Sequence, residues 1–240
     1  MWDGDRGFYY DLTLDGRRSG VKTVAAFWAL VSGVAGERQA EALVAALEDP
    51  RRFKTLHRVP TLAADEAGFS AETGEYWRGS VWAPTDTMVI RGLERLGKEA
   101  LAREIARNHL DHIVEVFRKT GTIWENYAPQ RVSQGRPAKG DFVGWSGLAP
   151  IVYLIEYGIG IRVDAPASTV VWRIESPRRV GIERLRFGGK TVSLVCGEPD
   201  AEGRRAVMAR SDGEFRLTIH WRGSKRELSI PAGRELEIRI

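Results

Sequence analysis

The feature that most constrains this chain is a change of hydrophobic period near residue 164. Upstream, apolar residues recur three and four apart, the repeat of a helix with one buried face. Downstream they alternate, the repeat of a strand with one buried face. The chain therefore reads as two domains, 1–164 and 165–240, with Ala165-Pro166-Ala167-Ser168 as the link.

In the first part, 21–34 (VKTVAAFWALVSGV) and 38–47 (RQAEALVAAL) predict short helices separated by Gly36. The span 84–96 opens with a proline in its first turn and stops at Gly97, 99–118 repeats apolar residues at helical spacing, and 145–157 predicts a fifth helix. The connections 50–79 and 119–144 are long and rich in Gly, Pro, Trp and Tyr. A plain bundle needs much shorter ones, and long loops on a rigid scaffold are where sites tend to lie. In the second part, strands are predicted over 169–175, 182–187, 191–196, 215–221, 227–230 and 235–240, broken by FGGK, RSDGE, WRGSK and PAGR turns. That pattern predicts a small antiparallel β module.

Composition narrows the function classes. With 43% hydrophobic residues in 240, there is apolar material for ordered cores. No apolar run approaches the roughly 20 residues of a membrane-spanning helix, and MWDGDRGFYYDL lacks the basic and apolar regions of a secretory signal. A cytoplasmic chain with no membrane partner is expected. The single cysteine, Cys196, lies in the apolar run TVSLVC, which excludes a disulfide framework and suits a reducing compartment. The net charge of +4 arises beyond residue 164, where 15 Lys and Arg face 10 Asp and Glu. There the arginines alternate with apolar residues, as on a solvated strand face, so no nucleic-acid partner is expected. Gly189-Lys190-Thr191 imitates the tail of a phosphate-binding loop, but the earlier glycine would fall at Arg184, and the segment reads as a hairpin. His109 and His112 are three apart on one helix without a supporting carboxylate motif and read as core or surface histidines. No metal and no cofactor are expected.

Two clusters of aromatic and polar residues remain: Glu75-Tyr76-Trp77-Arg78-Gly79-Ser80-Val81-Trp82-Ala83-Pro84, running into a helix start, and Thr122-Ile123-Trp124-Glu125-Asn126-Tyr127-Ala128-Pro129, between helices. Sugars have apolar CH faces and hydroxyl rims, so their sites want flat aromatic platforms beside Arg, Asn or a carboxylate. Both clusters offer that combination. The same aromatics would also serve simply to plug the ends of a helical bundle.

The order YWRGSVWAP, then WENYAP, then DFVGWSGLAPIVYLIE resembles the second half of the trehalase-like (α/α)6 toroid of glycoside hydrolase family 63 and its mannosylglycerate hydrolase-like relatives. WDGDRGFYYDL, followed by VKTVAAFWAL, is similar to a mid-toroid segment of that family, so the resemblance spans about 1–160. It implies a mainly α chain: a partial toroid of antiparallel helix pairs, followed by the β module. It also implies Glu125 as general base, with Tyr76, Trp77 and Arg78 lining the sugar subsite. Trp82, Trp124, Asn126, Tyr127 and Trp145, from the same motifs, complete the candidate set. An inverting glycosidase pairs such a base with a carboxylic acid about 6.5–9.5 Å away.

The family's acid is an aspartate in a DDSPR-like loop, which this chain does not contain; Asp3, Asp5 and Asp11 belong to a hairpin-like segment and do not match it. The resemblance thus implies the C-terminal portion of an inverting α-glycosidase for an α-glucoside or α-mannoside, or else a non-catalytic carbohydrate-binding or structural remnant. Half a toroid would leave inner helix faces uncovered, so self-association or a companion N-terminal fragment is expected. The β module is expected to be structural, with only Trp172 and Trp221 available as platforms.

Overall fold

A computed structural model describes residues 1–240 as two compact units, Met1–Tyr153 and Leu154–Ile240. No helix is long and apolar enough to cross a membrane.

The first unit opens with a small hairpin in which β1 (Trp2–Asp3) pairs antiparallel with β2 (Phe8–Tyr9). The Asp3 carboxylate accepts the Asp5 and Arg6 amides, and Gly7, at φ 62°, closes the turn. Phe8 is fully buried and stacks on Phe53, which meets Phe27 edge-on at 4.9 Å. The predicted helix 21–34 is shorter than its periodicity suggested: a 3-10 turn, Val24–Phe27, leads into α1 (Trp28–Ser32), and Gly33 ends it in a left-handed conformation.

Helices α2 (Glu37–Glu48), α3 (Ala83–Arg95) and α4 (Glu99–Thr120) follow the sequence signals closely. The Gly36 amide donates to the Gln39 side chain at the start of α2, Pro84 sits in the first turn of α3, and Gly121, at φ 72°, ends α4. α3 packs against both α1 and α4. At Gly92 a Cβ would lie 2.7 Å from the Leu30 side chain, so glycine is what lets α1 and α3 approach. The stretch read as a fifth helix divides into one 3-10 turn, Trp145–Gly147, and a π-helix, Ala149–Ile159.

The second unit holds two four-stranded sheets. One has the order β3 (Ile161–Asp164), β4 (Thr169–Arg173), β8 (Phe215–Trp221), β9 (Ser224–Ile230). The other has β10 (Glu235–Arg239), β7 (Ala206–Ser211), β6 (Lys190–Cys196), β5 (Val180–Phe187). Alternate residues of both sheets, among them Val170, Trp172, Leu194, Cys196, Val207 and Leu217, share one core. Ala165–Ser168, read as a link, is the turn that joins β3 to β4.

Two expectations are corrected. The chain is not mainly α: about 30% is helix and 25% strand, a mixed fold. The long connections of the first unit supply turns and isolated bridges instead of helix, and strands are the main regular elements of the second unit. The β module is also not purely antiparallel, because β4 pairs with β8 in parallel, Thr169 opposite Arg216 through Arg173 opposite His220.

Arg205 is the second unit's polar keystone. It is 2% exposed, donates to the carbonyls of Gly197, Ser176 and Arg178 at 2.7, 2.5 and 2.5 Å, and lies over the Trp221 ring. Three carbonyls depend on one planar donor fork, which an ammonium cannot reproduce. Arg205→Lys is therefore expected to lower unfolding stability by about 2–4 kcal/mol, measured by urea denaturation. An unchanged midpoint would show that those carbonyls find other partners.

Candidate active site

The two aromatic clusters meet through backbone pairing. The Val81 amide donates to the Tyr127 carbonyl at 2.9 Å, and the Tyr127 amide returns the bond to Val81 at 3.1 Å. Tyr127 bridges Gln134 on its other side, so the second loop is folded back on itself around this residue. The first loop reaches the bridge through a strained turn in which Gly74, Glu75 and Tyr76 have φ of 72°, 32° and 65°. For residues with a Cβ this region costs roughly 1–3 kcal/mol each and persists only where surroundings enforce it.

That turn delivers Tyr76 to Glu125. The Tyr76 hydroxyl donates to Glu125 Oε1 at 3.2 Å, and its ring meets Trp82 edge-on at 4.8 Å. Burial, and secondarily the carboxylate beside it, pushes the phenol above its ordinary range, so it stays a donor near neutral pH. Trp77 stacks on Trp82 with centroids 4.7 Å apart and planes 5° from parallel. Trp82 is buried and its indole N–H donates to the Tyr76 carbonyl, whereas Trp77 is 54% exposed. An anchored ring thus backs an open one, the build of a platform for an apolar sugar face. Trp145, also exposed, lies 6.0 Å from Trp82, and Phe142 tilts against it at 4.7 Å.

Glu125 is fixed at its backbone. Its amide donates to the Lys139 carbonyl at 2.9 Å, and its carbonyl accepts from Trp145 Nε1 at 3.3 Å and Ser146 Oγ at 3.1 Å. Its side chain is half-buried. The structure therefore gathers Tyr76, Trp77, Trp82, Glu125 and Trp145.

The other predicted residues make contacts of their own. Arg78 pairs with Glu75 at 2.6 Å and donates to the Gly68 carbonyl. Trp124 donates its indole N–H to Thr120, and its amide donates to the Tyr127 hydroxyl. Asn126 is fully buried, with its side-chain amide donating to the Pro137 carbonyl at 3.1 Å. Tyr127 is buried, which raises its phenol pKa to about 12. Sequence reasoning missed Ser146 and Phe142, although both stand in the DFVGWSG segment that supplied Trp145.

Beneath Tyr127 lies a buried polar group that sequence spacing did not reveal. His57 Nε2 is 2.9 Å from His109 Nδ1, which is 2.9 Å from Asp86 Oδ2, and all three residues are fully buried. The His57 and His109 rings lie 5.8 and 6.1 Å from that of Tyr127, edge-on. Burial holds His57 well below the ordinary histidine range and pushes Asp86 up, against the pull of His109. His57, Asp86 and His109 are the residues whose donor atoms converge closely enough to hold a metal ion.

Residues 1–146 match the family described as the mannosylglycerate hydrolase MGH1-like glycoside hydrolase domain. The chain belongs to this glycoside hydrolase family. An uncharacterized protein of Borreliella burgdorferi is 32% identical to it over 98% of the chain and 51% of that protein. Among solved structures, the family 63 mannosylglycerate hydrolase of Thermus thermophilus is similar over 63% of this chain and 34% of its own, at 30% identity and TM-score 0.51. The neutral trehalase of Saccharomyces cerevisiae is similar over 64% of this chain and 27% of its own, at 25% identity and TM-score 0.53. The chain thus spans about half, or less, of the length of these relatives, and its membership is that of a family 63 and trehalase-like glycoside hydrolase.

The buried position of Asn126 separates two roles for it. A residue held inside the loop should cost stability when truncated, whereas a sugar ligand should cost affinity. Asn126→Ala is expected to lower stability by about 1–3 kcal/mol in urea unfolding. An unaltered midpoint with weakened sugar binding would return the residue to the subsite.

Proposed function

We propose that this chain carries the general base and the aromatic floor of an inverting α-glycosidase, with Glu125 as the base and an α-glucoside or α-mannoside as substrate. One observation supports this reading above the others: a carboxylate fixed at its backbone amide and carbonyl and met by the Tyr76 hydroxyl, beside the stacked Trp77–Trp82 platform. In such a reaction the base takes a proton from water as the oxygen attacks the anomeric carbon, and the glycosidic bond breaks on the opposite face. Tyr76 would hold the carboxylate in line and Trp77 would cover the sugar's CH face. The leaving oxygen needs a proton from a carboxylic acid, and the DDSPR-like loop that carries it in the family is missing from this sequence. The acid then comes from a companion polypeptide that completes the (α/α)6 toroid. A buried lone thiol suits the reducing cytoplasm for such an enzyme.

The second reading, a carbohydrate-binding remnant without catalysis, draws on the same missing acid motif. A glycosyl fluoride separates the two, because fluoride departs without needing a full proton transfer from an acid, leaving the base as the group that matters. The 240-residue chain is expected to hydrolyse α-glucosyl or α-mannosyl fluoride and to release the inverted, β-configured sugar first, followed by NMR. Glu125→Gln should slow this by roughly 10²-fold or more while tryptophan-detected sugar binding persists. Binding without hydrolysis in the wild-type chain would favour the remnant, and a retained anomer would remove Glu125 from the role of base.

A further inference from the structure

We propose that His57, Asp86 and His109 form a buried site for one divalent transition-metal ion of zinc's class, which ties together three distant segments of the first unit. The inference is independent of the glycosidase reading. His57 comes from the long connection after α2, Asp86 from the first turn of α3 and His109 from the middle of α4.

The geometry has a specific deficiency. His109 Nδ1 carries either one proton or one lone pair, yet it faces two partners, His57 Nε2 and Asp86 Oδ2, each at 2.9 Å. Asp86 Oδ2 has only that shared contact with His109, in a place where a buried polar atom left unsatisfied costs about 1–3 kcal/mol. Asp86 is also a fully buried carboxyl whose side-chain partner is His109 Nδ1. The nearby Arg58 spends its guanidinium on Glu48, Glu104 and the Leu47 carbonyl. A cation held among His57 Nε2, His109 Nδ1 and Asp86 Oδ2, where the three residues' donor atoms lie within 4.8 Å of one another, would engage all three at once.

The donor chemistry selects the ion. Two imidazole nitrogens and one carboxylate oxygen form a set that zinc and its neighbours bind, whereas calcium and magnesium prefer oxygen alone. The second carboxylate oxygen is steadied from behind, since the Val59 amide donates to Asp86 Oδ1 at 3.4 Å, and the start of α3 favours a negative charge there. His112 stacks on His57 at 4.3 Å, and its Nδ1 faces the Asn108 carbonyl at 2.9 Å, walling one side.

The experiment uses the 240-residue chain, stripped with a chelator and titrated with Zn²⁺, then with Co²⁺ as a spectroscopic substitute. The expected result is one equivalent bound, a raised Tm, and visible Co²⁺ absorption bands of a low-symmetry nitrogen and oxygen site. Asp86→Asn and His57→Gln should each weaken Zn²⁺ affinity by roughly a hundredfold or more and remove the bands. His220→Gln, in the second unit, should leave both intact. Should the site variants unfold, the wild type still decides: chelation must lower its Tm and zinc must restore it. A wild-type Tm indifferent to chelator and zinc would overturn the proposal and leave a proton shared among the three residues. Equal zinc binding by folded variants would overturn it as well.

Discussion

The candidate site depends on one short piece of backbone pairing, the reciprocal bonds between Val81 and Tyr127. Without them the two aromatic loops would be separate excursions from the helices, and the Tyr76 hydroxyl would have no reason to meet Glu125. The pairing also explains why the first loop tolerates left-handed Glu75 and Tyr76. The strain is offset by a bridge on one side, the Trp77–Trp82 stack on the other, and the Trp82 indole bound to the Tyr76 carbonyl. α3 begins immediately after this bridge, so the helix scaffold and the site share one anchor.

The sequence displayed the elements whose signals are local. Pro84, Gly97 and Gly121 bound α3 and α4, and FRLTIHW alternates cleanly enough that β8 falls on its predicted residues. What was hidden is non-local. β7 points Val207, Ala209 and Ser211 inward, and alanine and serine carry little hydrophobic signal, while its last residues were read into a turn. β3 is four residues long and continues an apolar run that reads as the tail of a helix. The parallel pairing of β4 with β8 joins segments far apart in sequence, with no turn to announce it.

The site divides in the same way. Its residue types and their family resemblance were legible, and so was the choice of Glu125, Tyr76, Trp77, Trp82 and Trp145 as candidates. Which of the neighbouring residues turn away was not legible. Asn126 and Tyr127 look polar and functional in the string WENYAP, yet both are buried and hold the loop's own backbone or pack on histidines. Likewise His57, Asp86 and His109 share no spacing that a helix or strand would explain; only the packing of α3, α4 and the long connection brings them together. The loop is thus supported from below by polar groups as well as from above by aromatic rings.

Amide hydrogen exchange on the native chain tests this account most directly. If the Val81–Tyr127 bridge is the constraint on which the site depends, both amides should exchange only through large-scale opening, with protection within about tenfold of core α4 amides such as Ile105. Exchange of Val81 and Tyr127 at the rates of open loops, while α4 stays protected, would contradict it: the two aromatic loops would then move independently, and the meeting of Tyr76 with Glu125 would not be built into the fold.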